Sequence, residues 1–591
     1  MRLLPPLASF RVNCLAILAL VLVRPCFAQE PSAQLRQADV DYRAGTAALA
    51  HNDLQSALSA FQEVVRLAPA AEQGHSALGA VLVRLNRPAD GIRELNKALA
   101  IKPSDSTAQM NLAMAYQQNG QPEKSLPLFA KLEASARAEK RPIALPLLLA
   151  YIQALSATQQ YPAALAHMNE AVRRNPNNAE LQDQLGSLYA QRQDWPNAEK
   201  AFTLATRSNP KFAFAFMHLG LALDAQQKPG ALDALSAAYD LAPQNPLVAL
   251  QYGIACARAN DDDKAIPALR TALQADHNSA AAAYQLGLAL QRTNHLEEAT
   301  PLLQQAASAD PGNAEAQVNL GLALVQSQKA KDAVPVLQRA VALAPENVTA
   351  HQNLAAALIQ LNQLDEAVTE LRLALKLSPD NPTLHYNLGL ALKMKDDAEG
   401  AIPELESART LNPTAPEPPY LLGVLYMQVA RYPEAAQDLN ASLKLQPQNG
   451  DGWATLGSVY SKLDQLPEAV SALREAIRQL PRQPDPHLTL AAVLAKQGHA
   501  AEAAAERKIS ADLMRANMNR QRAEVASNSA NSQMKSGDFQ GAIEQLREAI
   551  RFDPDYPEAH AALAIALEHE GKSAEAYAER QKAEQLKSVA Q

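Results

Sequence analysis

The sequence predicts an all-α protein built as a solenoid of stacked helix pairs. Small residues recur every 34 positions in the middle of the chain, at Gly253, Gly287, Gly321, Ala355, Gly389, Gly423 and Gly457. Alanine keeps the same interval twelve positions later, at Ala265, Ala299, Ala333, Ala367, Ala401, Ala435 and Ala469. A fixed period of this length is typical of an array that repeats one helix pair. We therefore expect the function to lie on a long surface and not in a single pocket.

Length and composition agree with such an array. The 591 residues exceed the roughly 250 to 300 at which a single core stops growing, whereas a solenoid grows one interface at a time. Aromatic residues make up 5% of the chain and apolar residues 48%, so the interior is mainly aliphatic and alanine, which suits closely packed helices. The net charge of −8 argues against nucleic acid as a partner.

The first 28 residues predict a signal peptide. Arg2 and Arg11 precede a ten-residue apolar run, Cys14–Val23, and Cys26 and Ala28 occupy the minus-three and minus-one positions of a signal-peptidase site. We expect cleavage after Ala28 and a periplasmic or secreted mature protein in which Cys256 is the single cysteine. Because a membrane span needs about 20 apolar residues, no span is expected after cleavage. An uncleaved signal that serves as an anchor is the alternative.

Laid over the whole chain, the period gives about sixteen repeats. We expect a short lead at residues 29–37, repeats one to three within 38–139, repeats four to fourteen within 145–517, and repeats fifteen and sixteen with a C-terminal cap within 523–591. Two steps between repeat starts lengthen to 39 residues, from Ser106 to Leu145 and from Pro484 to Ala523. These steps set the predicted boundaries.

One repeat illustrates the expected fold. Between Ala314 and Pro345, apolar residues crowd two segments that a polar turn, Gln326 to Lys331, separates. Gly321 and Ala333 lack bulk where the two helices should cross, which lets their axes approach. Each pair is apolar on two sides, so it must stack on its neighbours to bury both.

These features resemble the tetratricopeptide repeat family over nearly all of the chain after the signal. Leu-Gly pairs stand in phase at Leu78-Gly79, Leu185-Gly186, Leu219-Gly220, Leu286-Gly287, Leu320-Gly321, Leu388-Gly389 and Leu456-Gly457, and prolines close most repeats. Trp453 takes the family's tryptophan position, and Tyr116 and Tyr189 take its tyrosine position. The resemblance implies a right-handed α-solenoid superhelix of about sixteen helix pairs. It also implies that the first helices line a concave groove that binds peptides or proteins.

Amide side chains recur at the sixth position of the repeats, and we call this set the ladder. Its members are Asn111, Gln184, His218, Gln251, Gln285, Asn319, Asn353, Asn387 and Asn528. On the family's geometry this position faces the groove and solvent. Asparagine offers a donor and an acceptor, so it can pair with the backbone of an extended peptide of any sequence. The alternative is that asparagine is simply a consensus residue, kept for solubility or local hydrogen bonding.

Groove positions beside the central asparagines include Tyr386, Leu390 and Lys393, within a mostly apolar lining. Catalytic and metal-binding motifs are absent: the chain has no HExxH, no GxSxG and no P-loop, and its 12 histidines are scattered over different repeats. We expect no catalytic residues, no metal and no cofactor. An enzyme of unrecognised type is a further alternative.

Residues 500–535 contain neither proline nor glycine and predict one unusually long, or kinked, helical stretch. Its Arg515, Arg520 and Arg522 could contact an acidic partner or lipid headgroups, or form a solvated helix face. Together the observations predict an exported, non-enzymatic scaffold that holds an extended peptide or protein segment in its groove. The alternative is a subunit of an envelope assembly or polysaccharide-export machine that engages a folded partner.

Overall fold

The computed structural model describes residues 33–590, and every regular element in that range is an α-helix. The chain forms two compact units, one ending at Ala309 and the other beginning at Asp310. Within each unit, every helix packs on the next one along the chain. The prediction of an all-α solenoid of stacked helix pairs is confirmed.

The first unit contains sixteen described helices. They are α1 (Ala33–Ala50), α2 (Leu54–Leu67), α3 (Glu72–Arg84), α4 (Pro88–Ile101), α5 (Ser106–Gln118), α6 (Pro122–Ala138), α7 (Leu145–Ala157), α8 (Tyr161–Arg174), α9 (Ala179–Gln191), α10 (Trp195–Ser208), α11 (Ala213–Ala225), α12 (Ala231–Leu241), α13 (Pro246–Arg258), α14 (Asp262–Ala275), α15 (Ala280–Arg292) and α16 (Leu296–Ala309).

The second unit contains fifteen described helices. They are α17 (Ala314–Gln326), α18 (Ala330–Leu343), α19 (Val348–Gln360), α20 (Leu364–Leu377), α21 (Pro382–Met394), α22 (Ala398–Leu411), α23 (Glu417–Gln428), α24 (Tyr432–Leu445), α25 (Gly450–Lys462), α26 (Leu466–Gln479), α27 (Pro484–Lys496), α28 (Ala500–Lys535), α29 (Phe539–Phe552), α30 (Pro557–His569) and α31 (Ser573–Ala590).

The turn between the two helices of a pair has a characteristic backbone conformation and capping hydrogen bonds. After α13, Asn260 adopts a left-handed φ of 57°, and the N–H of Asp261 donates to the carbonyl of Cys256 at 2.9 Å, which closes the helix. The side chain of Asp261 then accepts from the N–H of Lys264 and caps α14. Asparagine, aspartate and glycine tolerate this backbone conformation, which explains the polar turns of the sequence. Cys256 itself is fully buried, as a small apolar residue would be.

Glycine at the helix crossing is required by close packing. A Cβ added to Gly389 would lie 2.6 Å from Cγ of Leu405, and one added to Gly253 would lie 2.6 Å from Cγ of Leu269. The two partners are separated by sixteen positions in the sequence, so each glycine receives a leucine of its own second helix. The expectation that the glycine lacks bulk where the helices cross is confirmed.

The repeat that begins at Leu145 departs from this rule. Ile152 stands where the other repeats have glycine or alanine, and Met168 stands at the leucine position. Both side chains are 3% exposed. A branched side chain cannot occupy a crossing at which even one added carbon would meet its neighbour at 2.6 Å, so α7 and α8 must pack differently here.

The fourth residue of many first helices reaches back to the proline that closes the preceding repeat. Nε1 of Trp453 donates to the carbonyl of Pro447 at 2.9 Å, and Nε2 of Gln109 donates to that of Pro103 at 2.6 Å. Where the residue is histidine, its Nδ1 lies within hydrogen-bond distance of a glutamate carboxylate on the second helix. These pairs are His75–Glu94, His351–Glu370, His385–Glu404, His487–Glu506 and His560–Glu579. Where both contacts are present, the side chain therefore joins the end of one repeat to both helices of the next.

The long stretch predicted near the C-terminus is a single helix, α28, of 36 residues. Nε of Arg520 lies 2.9 Å from Oδ2 of Asp553, and its guanidinium lies 4.5 Å from the ring centroid of Tyr556. Arg515 faces Asp512 of its own helix at 3.5 Å. Arg520 therefore ties α28 to the segment between α29 and α30, a role that sequence analysis did not anticipate.

Candidate functional site

The ladder residues predicted to bind peptide all lie on the first helix of a helix pair. They are Asn111 on α5, Gln251 on α13, Gln285 on α15, Asn319 on α17, Asn353 on α19 and Asn387 on α21. α13 packs directly against α15, and α17 packs directly against α19. The first helices that carry Gln251 and Gln285 therefore touch each other, as do those that carry Asn319 and Asn353.

Two of these residues are more deeply buried than expected. Asn111 is 9% exposed and Asn353 is 6% exposed, whereas Asn319 and Asn387 are half-buried. The expectation that the ladder faces solvent is wrong for Asn111 and Asn353. The physical reason is visible at α19, an alanine-rich helix that packs on α17, because small side chains let the backbones approach and cover a short amide.

The amide of Asn353 is the clearest functional signal in the ladder. Its Nδ2 is buried and has no hydrogen-bond partner in the described part of the chain. Buried amide groups are nearly always paired, and one left unpaired costs about 1 to 3 kcal/mol. Local hydrogen bonding therefore does not explain asparagine at this position. Asn319 differs, since it already interacts within the protein.

α21 contributes the three predicted lining residues. Tyr386, Leu390 and Lys393 are all half-buried and follow each other at intervals of four and three residues, so they share one helix face. Burial, reinforced by the Glu417 carboxylate, raises the pKa of the Tyr386 hydroxyl, which keeps it a neutral donor. This face thus offers a hydrogen-bond donor, an apolar surface and one cation.

Other ladder positions serve the protein itself. Nδ1 of His218 lies 2.8 Å from Oδ1 of Asp183, and its ring lies 5.3 Å from that of Phe202, centroid to centroid. His218 therefore links α11 to the preceding repeat. Asn528 is exposed on α28. The ladder is not functionally uniform along the chain.

A cavity of about 210 Å³ lies between α7 and α9 in the first unit. It is lined by Leu149, Ile152, Gln153, Ser156, Ala157, Met168, Gln184, Ser187, Leu188 and Gln191. Gln184 belongs to the ladder, so the ladder position opens onto this cavity. Sequence analysis missed the site, although the isoleucine at position 152, in phase with the glycines, was a readable signal.

Within residues 33–590, no group of three histidine, cysteine, aspartate or glutamate side chains is arranged to hold a metal ion. None of the helices described in that range is both long enough and apolar enough to cross a membrane. The predicted signal segment lies outside the described residues.

Comparison with protein families identifies the repeat. A model described as tetratricopeptide repeat matches residues 42–106, 76–142, 149–211, 184–246, 216–280, 284–348 and 420–484, more than half of the chain. The chain belongs to the tetratricopeptide repeat family. A second tetratricopeptide repeat (TPR) model matches residues 357–396 and 530–571, and a third matches 484–506.

Several solved TPR structures are similar to parts of the chain. The peptide-binding TPR protein YrrB is 25% identical over 31% of this chain and 94% of its own, with a TM-score of 0.28. MamA MSR-1 is 29% identical over 28% of this chain and 96% of its own, with a TM-score of 0.27. Cut9, solved with Hcn1 from the APC/C, is 16% identical over 84% of this chain and 96% of its own, with a TM-score of 0.31. No curated protein matches the chain.

Proposed function

We propose that this TPR protein is an exported, non-enzymatic scaffold that holds an extended peptide or protein segment along the first helices of its second unit. The observation that carries the proposal is the buried, unpartnered amide of Asn353 between the ladder residues Asn319 and Asn387. A bound backbone carbonyl supplies the hydrogen bond that this amide lacks. The bond offsets a cost already present in the free protein.

Recognition by this ladder is directed at the peptide backbone. An asparagine amide pairs with the N–H and C=O groups that every residue shares, so the ladder fixes an extended conformation and not a sequence. Sequence preference then comes from the α21 face, where Leu390 favours an apolar side chain and Lys393 favours an acidic one. The half-buried state of both residues leaves part of each side chain accessible.

Export is the second element of the proposal. It is supported by the apolar run Cys14–Val23 and the small residues before Gln29. In this proposal the scaffold acts in the periplasm. Its specificity comes entirely from surface complementarity.

Site-specific crosslinking tests the proposal. The photoreactive residue p-benzoylphenylalanine is placed at Leu390 on the proposed groove, or at the matched control Leu373, which is 38% exposed on the second helix α20. In native envelopes, the Leu390 probe should capture a partner through an unstructured segment, and adding Asn353→Ala should reduce the yield. Capture by the Leu373 probe alone contradicts the proposal and favours a folded partner on the outer helices.

A further inference from the structure

The cavity between α7 and α9 coincides with one departure from the repeat pattern. In eight repeats a glycine on the first helix receives a leucine of the second helix in close contact. Here Ile152 and Met168 replace that pair, and both line the cavity. The repeat with the bulkiest crossing pair is therefore also the one that borders a concave space between two first helices.

The size and lining of this cavity define its ligand. An apolar cavity of about 150 Å³ is large enough to bind benzene, so about 210 Å³ accommodates one substituted aromatic ring. The lining includes the apolar side chains of Leu149, Ile152, Met168 and Leu188. At the rim, Oγ of Ser156 donates to Oε1 of Gln191 at 2.9 Å and joins α7 to α9.

One polar atom in the lining is unsatisfied. Ser187 is 2% exposed, and its Oγ has no hydrogen-bond partner among the described residues. A buried hydroxyl without a partner is uncommon and calls for an explanation. An aromatic ring that carries a single hydrogen-bonding group complements both the apolar walls and this hydroxyl.

We propose that the cavity binds a tyrosine or tryptophan side chain, with the phenol O–H or indole N–H bonded to Oγ of Ser187. The source of the ring rests on the proposed function, since it supposes that the first unit also binds an extended peptide segment and that the ring belongs to that segment. The ladder residue Gln184 lies at the same cavity and is placed to contact the backbone of that segment. The ladder binds the peptide backbone, and the cavity adds a preference for one kind of side chain.

Small aromatic probes test the cavity directly on the full chain. Titration with p-cresol, indole and toluene should give dissociation constants on the order of 1 mM, as expected for ligands of this size. Ser187→Ala should weaken p-cresol and indole by about three- to tenfold, the effect of one hydrogen bond, and leave toluene unchanged. An equal effect on all three probes, or none on any of them, overturns the assignment of Ser187.

A blocking variant and its matched control locate the binding. Ala157 is exposed on the cavity wall, so Ala157→Trp should abolish binding of every probe. Ala225→Trp makes the same change at the equivalent position two repeats later, where the crossing pair is Gly220 and Leu235, and should leave binding intact. Equal loss in both variants contradicts the cavity assignment.

Peptide binding tests whether the aromatic ring belongs to a peptide or to a free small molecule. Otherwise identical alanine-serine peptides that carry one tyrosine, tryptophan or leucine should bind in the order aromatic above leucine, and Ala157→Trp should remove the difference. If p-cresol and indole bind but the peptides show no aromatic preference, the cavity serves a small molecule and the proposal is wrong. The asparagines Asn319, Asn353 and Asn387 lie in the other unit, so failure of the ladder and failure of the cavity are measured with separate variants.

Discussion

His351 and Glu370 lie in direct contact across one helix pair, with Nδ1 of the imidazole 2.6 Å from Oε2 of the carboxylate. Nε2 of the same ring lies 3.0 Å from the carbonyl oxygen of Pro345. Both ring nitrogens therefore face oxygen atoms. The side chain, which is 4% exposed, joins the end of one repeat to both helices of the next.

Removing this junction should destabilise the repeat locally. His351→Ala leaves the Pro345 carbonyl and the Glu370 carboxylate without their partner, at a cost of about 1 to 3 kcal/mol. His351→Gln should cost less, because Gln109 and Gln182 donate to the closing proline from the same position. Hydrogen exchange of the α19 and α20 amides provides the measurement. Equal protection in wild type and His351→Ala refutes a stabilising role for the contact.

Overpacking at the helix crossing should be costly. Ala367 is fully buried on α20, so Ala367→Leu should cost about 1 to 3 kcal/mol. Because each repeat is stabilised by its neighbours, the increase in hydrogen exchange should extend to α18 and α21. Glu366→Leu changes the adjacent exposed residue and should alter stability by less than about 0.5 kcal/mol. An unchanged exchange pattern near Ala367 would falsify the proposed packing.

Stability at high pH should depend on Tyr426. Burial, together with the hydrogen bond that its hydroxyl donates to Oε1 of Glu406 at 2.6 Å, raises its pKa to about 12. The unfolded value is about 10, so the folded state favours the neutral phenol. Its contribution is complete below pH 10 and is lost as the pH rises from about 10 to 12. Tyr426→Phe should reduce this dependence, measured as the difference in unfolding between the two proteins. Parallel pH profiles would show that Tyr426 contributes nothing.

Signal cleavage is predicted between Ala28 and Gln29. Peptidases of this class require small residues at positions minus three and minus one, which Cys26 and Ala28 supply. N-terminal sequencing of the native protein should therefore begin at Gln29. The control Ala28→Arg should block processing. Recovery of wild-type protein with an intact Met1 end in membranes supports the anchored alternative.

The fold was predictable because its determinants are local and periodic. Gly389, Ala401 and the turn residue Asp396 repeat at fixed intervals, and each acts on its own helix pair. The site was less predictable, because burial depends on how neighbouring repeats pack. Sequence places Asn353 and Asn387 at equivalent positions, yet only the contact of α19 with α17 leaves Asn353 covered and unpartnered.

Exceptions to the pattern carried the information that periodicity could not supply. The sequence itself shows that Ile152 breaks the glycine pattern, but the cavity that Ile152 and Ser187 line is found only from the coordinates of neighbouring helices. The same holds for Arg520, whose partners Asp553 and Tyr556 come from the segment between α29 and α30. In this repeat protein, departures from the consensus mark places where the packing differs from that of the other repeats.

The most direct test of the central claim is the affinity of the crosslinked segment for the triple variant Asn319→Ala, Asn353→Ala, Asn387→Ala. Losing hydrogen bonds worth about 0.5 to 1.5 kcal/mol each should weaken binding tenfold or more, and by a similar factor for segments of different sequence. Leu390→Asp should instead discriminate among sequences.

Asn353→Ala alone should leave the fold intact by circular dichroism, since the amide it removes makes no hydrogen bond in the described chain. Asn319 already interacts within the protein, so circular dichroism of the triple variant is a required control before isothermal titration of the segment is assigned to recognition. A tenfold loss supports a ladder that holds the peptide backbone. Equal affinity of the two proteins contradicts it.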